Sequence, residues 1–190
     1  MTYKAKKFDH LIGTEGFSDI LLKNHFTLYE GYVTNTNTLI EKMGTTVKGT
    51  PEYAEIKRRF GWEFNGMRLH ELYFGAMTKD GTARNGDTAL VKKLTEDFGS
   101  PEAWEEDFRA TGALRGIGWT ILAYDKDGER LFNVWINEHN AGHLAGATPI
   151  VVLDVFEHAF MIDYGLKRAD YIAAFMKAIN WEEVERRFIA

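Results

Sequence analysis

The sequence of 190 residues contains no cysteine, which excludes disulfides, thiolate nucleophiles, zinc–thiolate sites and iron–sulfur clusters. Any metal site must therefore be built from imidazole and carboxylate groups. Only 3 prolines are present and no low-complexity tract is visible, which excludes a collagen-like or largely disordered chain. Basic residues (23) are fewer than acidic residues (28), and the resulting charge of −5 argues against nucleic acid as a general partner.

Long apolar runs are also missing. No stretch approaches the roughly 18–20 apolar residues of a membrane span, and the N-terminus lacks the apolar segment of a secretory signal. We therefore expect a cytoplasmic protein with no membrane partner. Paired basic residues such as Arg186 and Arg187 are expected on solvated helix faces. The chain does have a hydrophobic content of 45%, which is enough for a sizeable core without disulfides or a structural metal.

Two helices are predicted in the N-terminal half. Apolar residues recur at steps of three and four from Ser18 to Gly44, which predicts a long amphipathic helix. After a turn-rich connector, the same spacing continues from about Glu52 to Met77. We expect these two helices to form an antiparallel α-hairpin.

A polar, glycine-containing stretch at 78–86 predicts a domain boundary. We expect an N-terminal α-hairpin domain at 1–86 and an α+β domain at 87–190, with the metal site at their junction. Asp87 and Ser100 are predicted N-caps of two short helices. Three β-rich runs at 119–124, 130–137 and 150–153 precede further helical segments. The predicted fold class is therefore α+β, with a small three-stranded antiparallel sheet flanked by helices.

Three of the six histidines, His25, His70 and His158, lie on faces that should be buried. His25 and His70 each fall on the apolar stripe of one helix of the hairpin, so facing helices could bring them together. A lone histidine on such a face is more often a hydrogen-bonded core residue than a ligand. Core hydrogen bonding alone is therefore one interpretation of both residues.

Asp154 and His158 strengthen the metal interpretation. They are four residues apart, and such residues share a face if the segment is helical. A buried carboxylate without a cation is costly, although a simple ion pair or a capping arrangement remains an alternative. Together with His25 and His70, the pair favours a mononuclear site of three histidines and one aspartate. These ligand types favour Fe, Mn or Zn.

The segment Asp154-Val-Phe-Glu-His-Ala-Phe160 resembles the signature D-x-[WF]-E-H-[AS]-[YF] of the iron/manganese superoxide dismutases. Further resemblances follow in the family's order over nearly the whole chain: Tyr32-Val-Thr-Asn35, His70-Glu-Leu-Tyr-Phe74, Gly116-Ile-Gly-Trp119 and Asn180-Trp181. The resemblance implies conversion of superoxide to oxygen and hydrogen peroxide by alternating reduction and oxidation of one Fe or Mn ion. Iron is the preferred expectation.

The resemblance also implies roles for individual residues. It makes His25, His70, Asp154 and His158 the metal ligands. Tyr32 and His139 become the catalytic pair: Tyr32 flanks the substrate channel, and His139 hydrogen-bonds the metal-bound solvent. Gly66 occupies the family's alternative source of that hydrogen bond, so a single donor is expected. Further roles fall to Trp119 and Phe156 in the pocket wall, Glu157 at a dimer interface facing the partner subunit's His158, and Arg168 as a source of positive potential.

Some positions depart from the family pattern. The interval from His25 to Tyr32 is one residue shorter than usual, and the usual His–Tyr gateway pair is replaced by Leu28 or Tyr29 and by Met161. The resemblance implies a homodimer or a dimer of dimers with superoxide as substrate. The departures leave open a second interpretation, a non-catalytic metal-binding or interaction protein on the same fold.

Overall fold

The computed structural model describes residues 2–189 and begins with the helical hairpin. Helix α1 spans Asp19–Thr45 and helix α2 spans Pro51–Gly75. The Ser18 hydroxyl accepts the Leu21 N–H in the first turn of α1, and the Thr50 hydroxyl accepts the Tyr53 N–H in the first turn of α2. Since only five residues connect the helices, they pack side by side and confirm the predicted hairpin.

Two short helices follow the polar connector. Helix α3 spans Ala89–Phe98 and α4 spans Pro101–Gly112, with Ser100 capping α4 as predicted. The cap of α3 is Thr88, whose hydroxyl accepts the Val91 N–H, and the prediction of Asp87 was therefore wrong by one residue. Asp87 instead lies in the turn before it, where its N–H donates to the Asn85 side chain.

The sheet contains β1 (Trp119–Asp125), β2 (Arg130–Ile136) and β3 (Thr148–Asp154) in the order β2-β1-β3, and both pairings are antiparallel. Trp119 stands opposite Ile136 on one side and Asp154 on the other. The start of β1 therefore lies beside the ends of β2 and β3 at one end of the sheet, which is called the sheet edge below. This edge faces the helical hairpin and carries the candidate site.

Gly118 makes that edge possible. Its φ is 125°, and an added Cβ would collide with the carbonyl group of Ile136. Its own carbonyl accepts the Val155 N–H at 2.8 Å, just beyond β3. Because only glycine fits between the two neighbouring strands, β1 can start at the same level as their ends.

The C-terminal region is helical: a 3₁₀ turn at Glu157–Ala159, then α5 (Met161–Tyr164), α6 (Arg168–Ala178) and α7 (Trp181–Ile189). The chain after α2 hydrogen-bonds to this region, with Thr78 N donating to Ala178 O at 2.8 Å. The α+β class and the flanked antiparallel sheet are confirmed, while the domain boundary stays a prediction. Across residues 2–189, none of the helices combines the length and apolarity needed to cross a bilayer.

Arg187 differs from the expectation of a solvated basic pair. Its side chain is only 8% exposed, and it donates to Glu183 at 3.1 Å and to the Ile150 carbonyl at 3.3 Å. Gly75 leaves space for it, since an added Cβ there would lie 2.9 Å from the guanidinium. Arg187 therefore ties α7 to β3, whereas Arg186 stays exposed.

Candidate metal centre

Four side chains from distant parts of the chain converge beside the sheet edge. His25 comes from α1, His70 from α2, Asp154 from the end of β3, and His158 from the 3₁₀ turn. One potential ligand atom from each lies within 4.8 Å of the others. The Nε2 atoms of the three imidazoles all face the same oxygen, Asp154 Oδ2, at 3.2 Å (His25), 3.5 Å (His70) and 3.1 Å (His158). The structure thus brings together all four predicted ligands.

The local geometry of Asp154 and His158 differs from the shared helix face predicted from their spacing. Asp154 ends a strand, and its second carboxylate oxygen, Oδ1, accepts the Phe156 N–H at 2.9 Å. That bond turns the chain back immediately after β3, so the following 3₁₀ turn presents His158 to the same carboxylate. The carbonyl of Asp154 also accepts the Tyr171 hydroxyl at 2.7 Å, which anchors the strand end to α6.

His70 provides the strongest sign that a cation belongs here. Its Nδ1 lies 2.6 Å from the Gly66 carbonyl, which can only accept, so Nδ1 carries the proton and Nε2 holds a lone pair. Nε2 is buried and, among residues 2–189, has no hydrogen-bond partner. It faces a carboxylate oxygen at 3.5 Å. Two buried acceptors facing each other are unfavourable unless a cation lies between them. The residues present therefore fit a metal ion.

The protonation states of Asp154, His25 and His70 suit metal binding, whereas the raised pKa of His158 favours a proton that a metal ion has to displace. Burial alone would raise the pKa of Asp154, but the imidazoles of His158 and His25 outweigh it and hold that pKa well below its ordinary value. Burial lowers the pKa of His25, and it lowers the pKa of His70 further. For His158 burial is outweighed by the Asp154 carboxylate, which raises its pKa. Neutral imidazoles and an ionised carboxylate are the ligand forms that bind metals.

His139 lies beside the four ligands in a hydrogen-bonded chain. The Trp119 indole N–H donates to its Nδ1 at 3.0 Å, and its Nε2 is 2.8 Å from the Tyr32 hydroxyl oxygen. Because an indole nitrogen can only donate, Nδ1 is unprotonated. Burial lowers the pKa of His139 to about 4, so the ring is neutral near pH 7 and carries its proton on Nε2. His139 therefore donates to Tyr32.

Tyr32 packs directly on the backbone of α2. An added Cβ on Gly66 would lie 2.6 Å from a carbon of the Tyr32 ring, so any side chain at position 66 would force that ring to move. Burial raises the pKa of Tyr32 and keeps the phenol protonated. The interval from His25 to Tyr32 is seven residues, about two helical turns, and both side chains consequently face the same side of α1.

The other predicted site residues divide into two groups. Trp119 is fully buried with its ring 5.0 Å from that of His70, and Phe156 packs 4.9 Å from His139. Both line the site. Glu157 is exposed. Arg168 donates to the carbonyls of residues 114 and 116, both at 2.7 Å, which places its guanidinium beside the loop before β1.

Two residues of the site were not predicted. The Trp62 ring lies 4.6 Å from His139 and 5.4 Å from Tyr32, and its indole N–H donates to Glu138 at 3.0 Å. A signal was present in the sequence: Trp62 precedes Gly66 by four residues and so belongs to the same stripe of α2.

Comparison with known proteins gives consistent matches. Residues 86–187 match the family described as iron/manganese superoxide dismutases, C-terminal domain. The chain is 36% identical to a protein of Aquifex pyrophilus named superoxide dismutase [Fe], over 98% of this chain and 92% of that protein. It is 36% identical to a protein of the same name from Cupriavidus metallidurans, covering 92% of this chain and 90% of the relative. A Haloferax volcanii protein named superoxide dismutase [Mn] 2 is 35% identical, covering 89% and 85%.

Proposed function

The chain belongs to the iron/manganese superoxide dismutase family, and we propose that His25, His70, Asp154 and His158 hold its metal ion. The protein is an oxidoreductase that converts superoxide into oxygen and hydrogen peroxide with Fe or Mn as cofactor. The ligand assignment rests above all on the unpaired, buried Nε2 of His70, which faces Asp154.

The charge and the orientation of the proposed ligands are set by the fold itself, before substrate binds. When bound, the metal supplies one-electron chemistry, accepting an electron from one superoxide and returning it to a second. Asp154 stays ionised and provides the negative charge that offsets part of the cation's charge. The Gly66 carbonyl orients the His70 ring by accepting a hydrogen bond from its Nδ1–H, which leaves the Nε2 lone pair directed inward.

We propose that Tyr32 and His139 position and hold protons next to this centre. Reduction of superoxide to hydrogen peroxide consumes two protons, so a neutral donor is needed within a buried site. Since His139 donates its only N–H to Tyr32, it has none left for the metal-bound solvent, unlike the role that the family resemblance implies. The Tyr32 hydroxyl proton is free to point elsewhere. Its raised pKa keeps that proton in place near pH 7. Trp119 supports the pair by holding the tautomer of His139.

The assembly and the entrance of the site are also proposals. We propose a homodimer, or a dimer of dimers, in which Glu157 reaches the partner subunit's His158. The proposal is supported by exposure: the His158 side chain is 32% exposed in the single chain, whereas the other three ligand side chains are at most 1% exposed. Arg168 remains our candidate for local positive potential. Sedimentation that finds a fully active monomer would contradict the role of Glu157. The cytoplasmic location expected from the sequence is a separate proposal, which cell fractionation would test.

One experiment tests the function and the catalytic pair together. The purified chain is loaded separately with Fe and with Mn, and bound metal and superoxide removal are measured on the same samples. We expect one ion per chain and activity with at least one metal, and the comparison also tests the preference for iron. His139→Ala should keep its metal but show a changed midpoint potential and lower activity, while His10→Ala, altered at an exposed site, should match the parent. Stoichiometric metal without superoxide removal would contradict the assignment.

A further inference from the structure

His139 is held in place by side chains, because the segment that carries it has no regular structure. Residues 137–147 connect β2 to β3 without helix or strand. The side chain of His139 is nearly fully buried, whereas the seven residues that follow it are exposed. Backbone pairing does not fix the imidazole, so its orientation depends on a few contacts.

Trp62 makes two of these contacts from the rigid α2 helix. Its indole N–H donates to the Glu138 carboxylate at 3.0 Å. Its ring lies 4.6 Å from the His139 ring, tilted by 56°. One helical side chain therefore holds two consecutive residues of the loop, one by a hydrogen bond and the other by aromatic packing.

Trp62 is itself supported on α2. The Arg59 guanidinium lies 4.1 Å from the centre of the Trp62 ring. Arg59 is held in turn by Glu63 at 2.8 Å, and Glu63, almost fully buried, accepts a further hydrogen bond from Asn35 at 3.3 Å. These contacts restrict the indole, so it can act as a fixed support and not merely fill space.

We propose that Trp62, anchored to Glu138, is a positioning residue for superoxide dismutation: it orients the imidazole of His139 so that its Nε2–H reaches Tyr32. The inference rests on the proposed role of the His139–Tyr32 pair. Without the anchor, the loop is free to shift and the His139 ring can turn away from Tyr32. Because the metal ligands lie on other segments, the ion itself stays bound.

The test removes the anchor from either side. Trp62→Phe keeps an aromatic ring but loses the N–H, and Glu138→Ala loses the acceptor, whereas Glu138→Gln keeps a carbonyl acceptor. The matched control is Trp104→Phe, because the fully buried Trp104 indole makes an equivalent hydrogen bond to Asn133 at 2.9 Å, in α4 and away from the metal site. Each variant is loaded with metal, and the metal content, melting temperature, midpoint potential and superoxide removal per bound ion are measured.

Trp62→Phe and Glu138→Ala should each lower the rate per ion by roughly three- to tenfold, less than the ~100-fold that a 1 Å displacement of a reacting group can cost. Their midpoint potentials should shift in the direction seen for His139→Ala. The double variant should be no worse than either single variant, because both remove the same bond. Glu138→Gln should recover most of the rate, and Trp104→Phe should lose thermal stability with its potential and rate unchanged.

The proposal is overturned if an active parent enzyme gives Trp62→Phe and Glu138→Ala variants with the parent's rate and potential. It is also overturned if Glu138→Gln is as impaired as Glu138→Ala, or if Trp104→Phe shifts the potential equally. If Glu138→Ala does not fold, Trp62→Phe decides: a shifted potential with full metal content supports the role, and an unshifted one refutes it. An inactive, metal-loaded parent would instead refute the function itself.

Discussion

The contact between Tyr32 and Gly66 gives a prediction whose sign can be worked out from the structure. Gly66→Ala adds a single methyl group in the middle of α2. That carbon would lie 2.6 Å from one ring carbon of Tyr32 and 2.7 Å from another. Such a distance is far shorter than the roughly 3.5–4.0 Å of a favourable carbon–carbon contact, so the Tyr32 ring must move.

Two opposing effects set the magnitude. Replacing glycine by alanine inside a helix stabilises it by about 0.5–1 kcal/mol. Overpacking a well-filled interior costs about 1–3 kcal/mol. The expected net effect is a loss of about 1 kcal/mol of unfolding free energy, which corresponds to a melting temperature lower by roughly 2–4 °C for a chain of this size. Displacement of the ring should also lengthen the 2.8 Å contact between Tyr32 and His139 and reduce the rate per metal ion by roughly tenfold.

Gly31 provides a matched control on the neighbouring helix. It lies inside α1, and apart from the surrounding backbone of that helix, no heavy atom of the described residues lies within 4 Å of an added Cβ there. Gly31→Ala should therefore show only the helix gain, about 0.5–1 kcal/mol, with unchanged activity. Denaturant unfolding, thermal unfolding and superoxide removal, all at equal metal content, measure both variants.

The prediction depends on the opposite sign of the two changes. If Gly66→Ala were as stabilising as Gly31→Ala and equally active, Tyr32 would not occupy the space above Gly66. The placement of the phenol beside His70 and His139, and with it the proposed proton-holding pair, would then be wrong.

Three further predictions follow from other contacts. Removing the metal with a chelator should lower the melting temperature, and restoring it at a thousandfold excess over its dissociation constant should return about 4 kcal/mol; equal melting temperatures of the two forms would contradict the four-ligand site. Arg187→Met should cost about 1–3 kcal/mol in denaturant unfolding, because it breaks the bonds to Glu183 and Ile150, whereas the exposed Arg186→Met should unfold close to the parent. The hydrogen bond from Arg186 lowers the pKa of Glu183, so this carboxylate stabilises the fold at neutral pH and loses that effect as the pH falls through its folded pKa. The melting temperatures of Glu183→Gln and the parent should therefore differ at pH 7 and converge in acid, and a difference that does not depend on pH would contradict the pairing.

Periodicity predicted both long helices, and β-rich runs predicted all three strands. It failed where a side chain competes with regular structure. The four-residue spacing of Asp154 and His158 suggested a helix, but Asp154 bonds the Phe156 N–H and produces a sharp turn. The conclusion that the two residues meet was right although the geometry behind it was wrong.

The surroundings of the metal ligands were harder to predict. The bond between Tyr32 and His139 joins positions 107 residues apart, and the bond between Trp62 and Glu138 joins positions 76 residues apart. Loop residues have no period that indicates which helix they contact. The burial of Arg187 could have been predicted. It follows the buried Val184 by three residues on the amphipathic α7 and so shares its inward face.

The separation of 129 positions between His25 and Asp154 has a consequence for how the protein unfolds. An ion held by both residues, as proposed, would add a further link between α1 and the end of β3 and so help to close a very long loop. Separation of α1 from the end of β3 would release the ion. Conversely, a lack of the ion in the cell would weaken the contact between these two elements. A shortage of iron or manganese should therefore have two effects on this enzyme: it should lower its activity, and it should speed the degradation of the polypeptide by proteases.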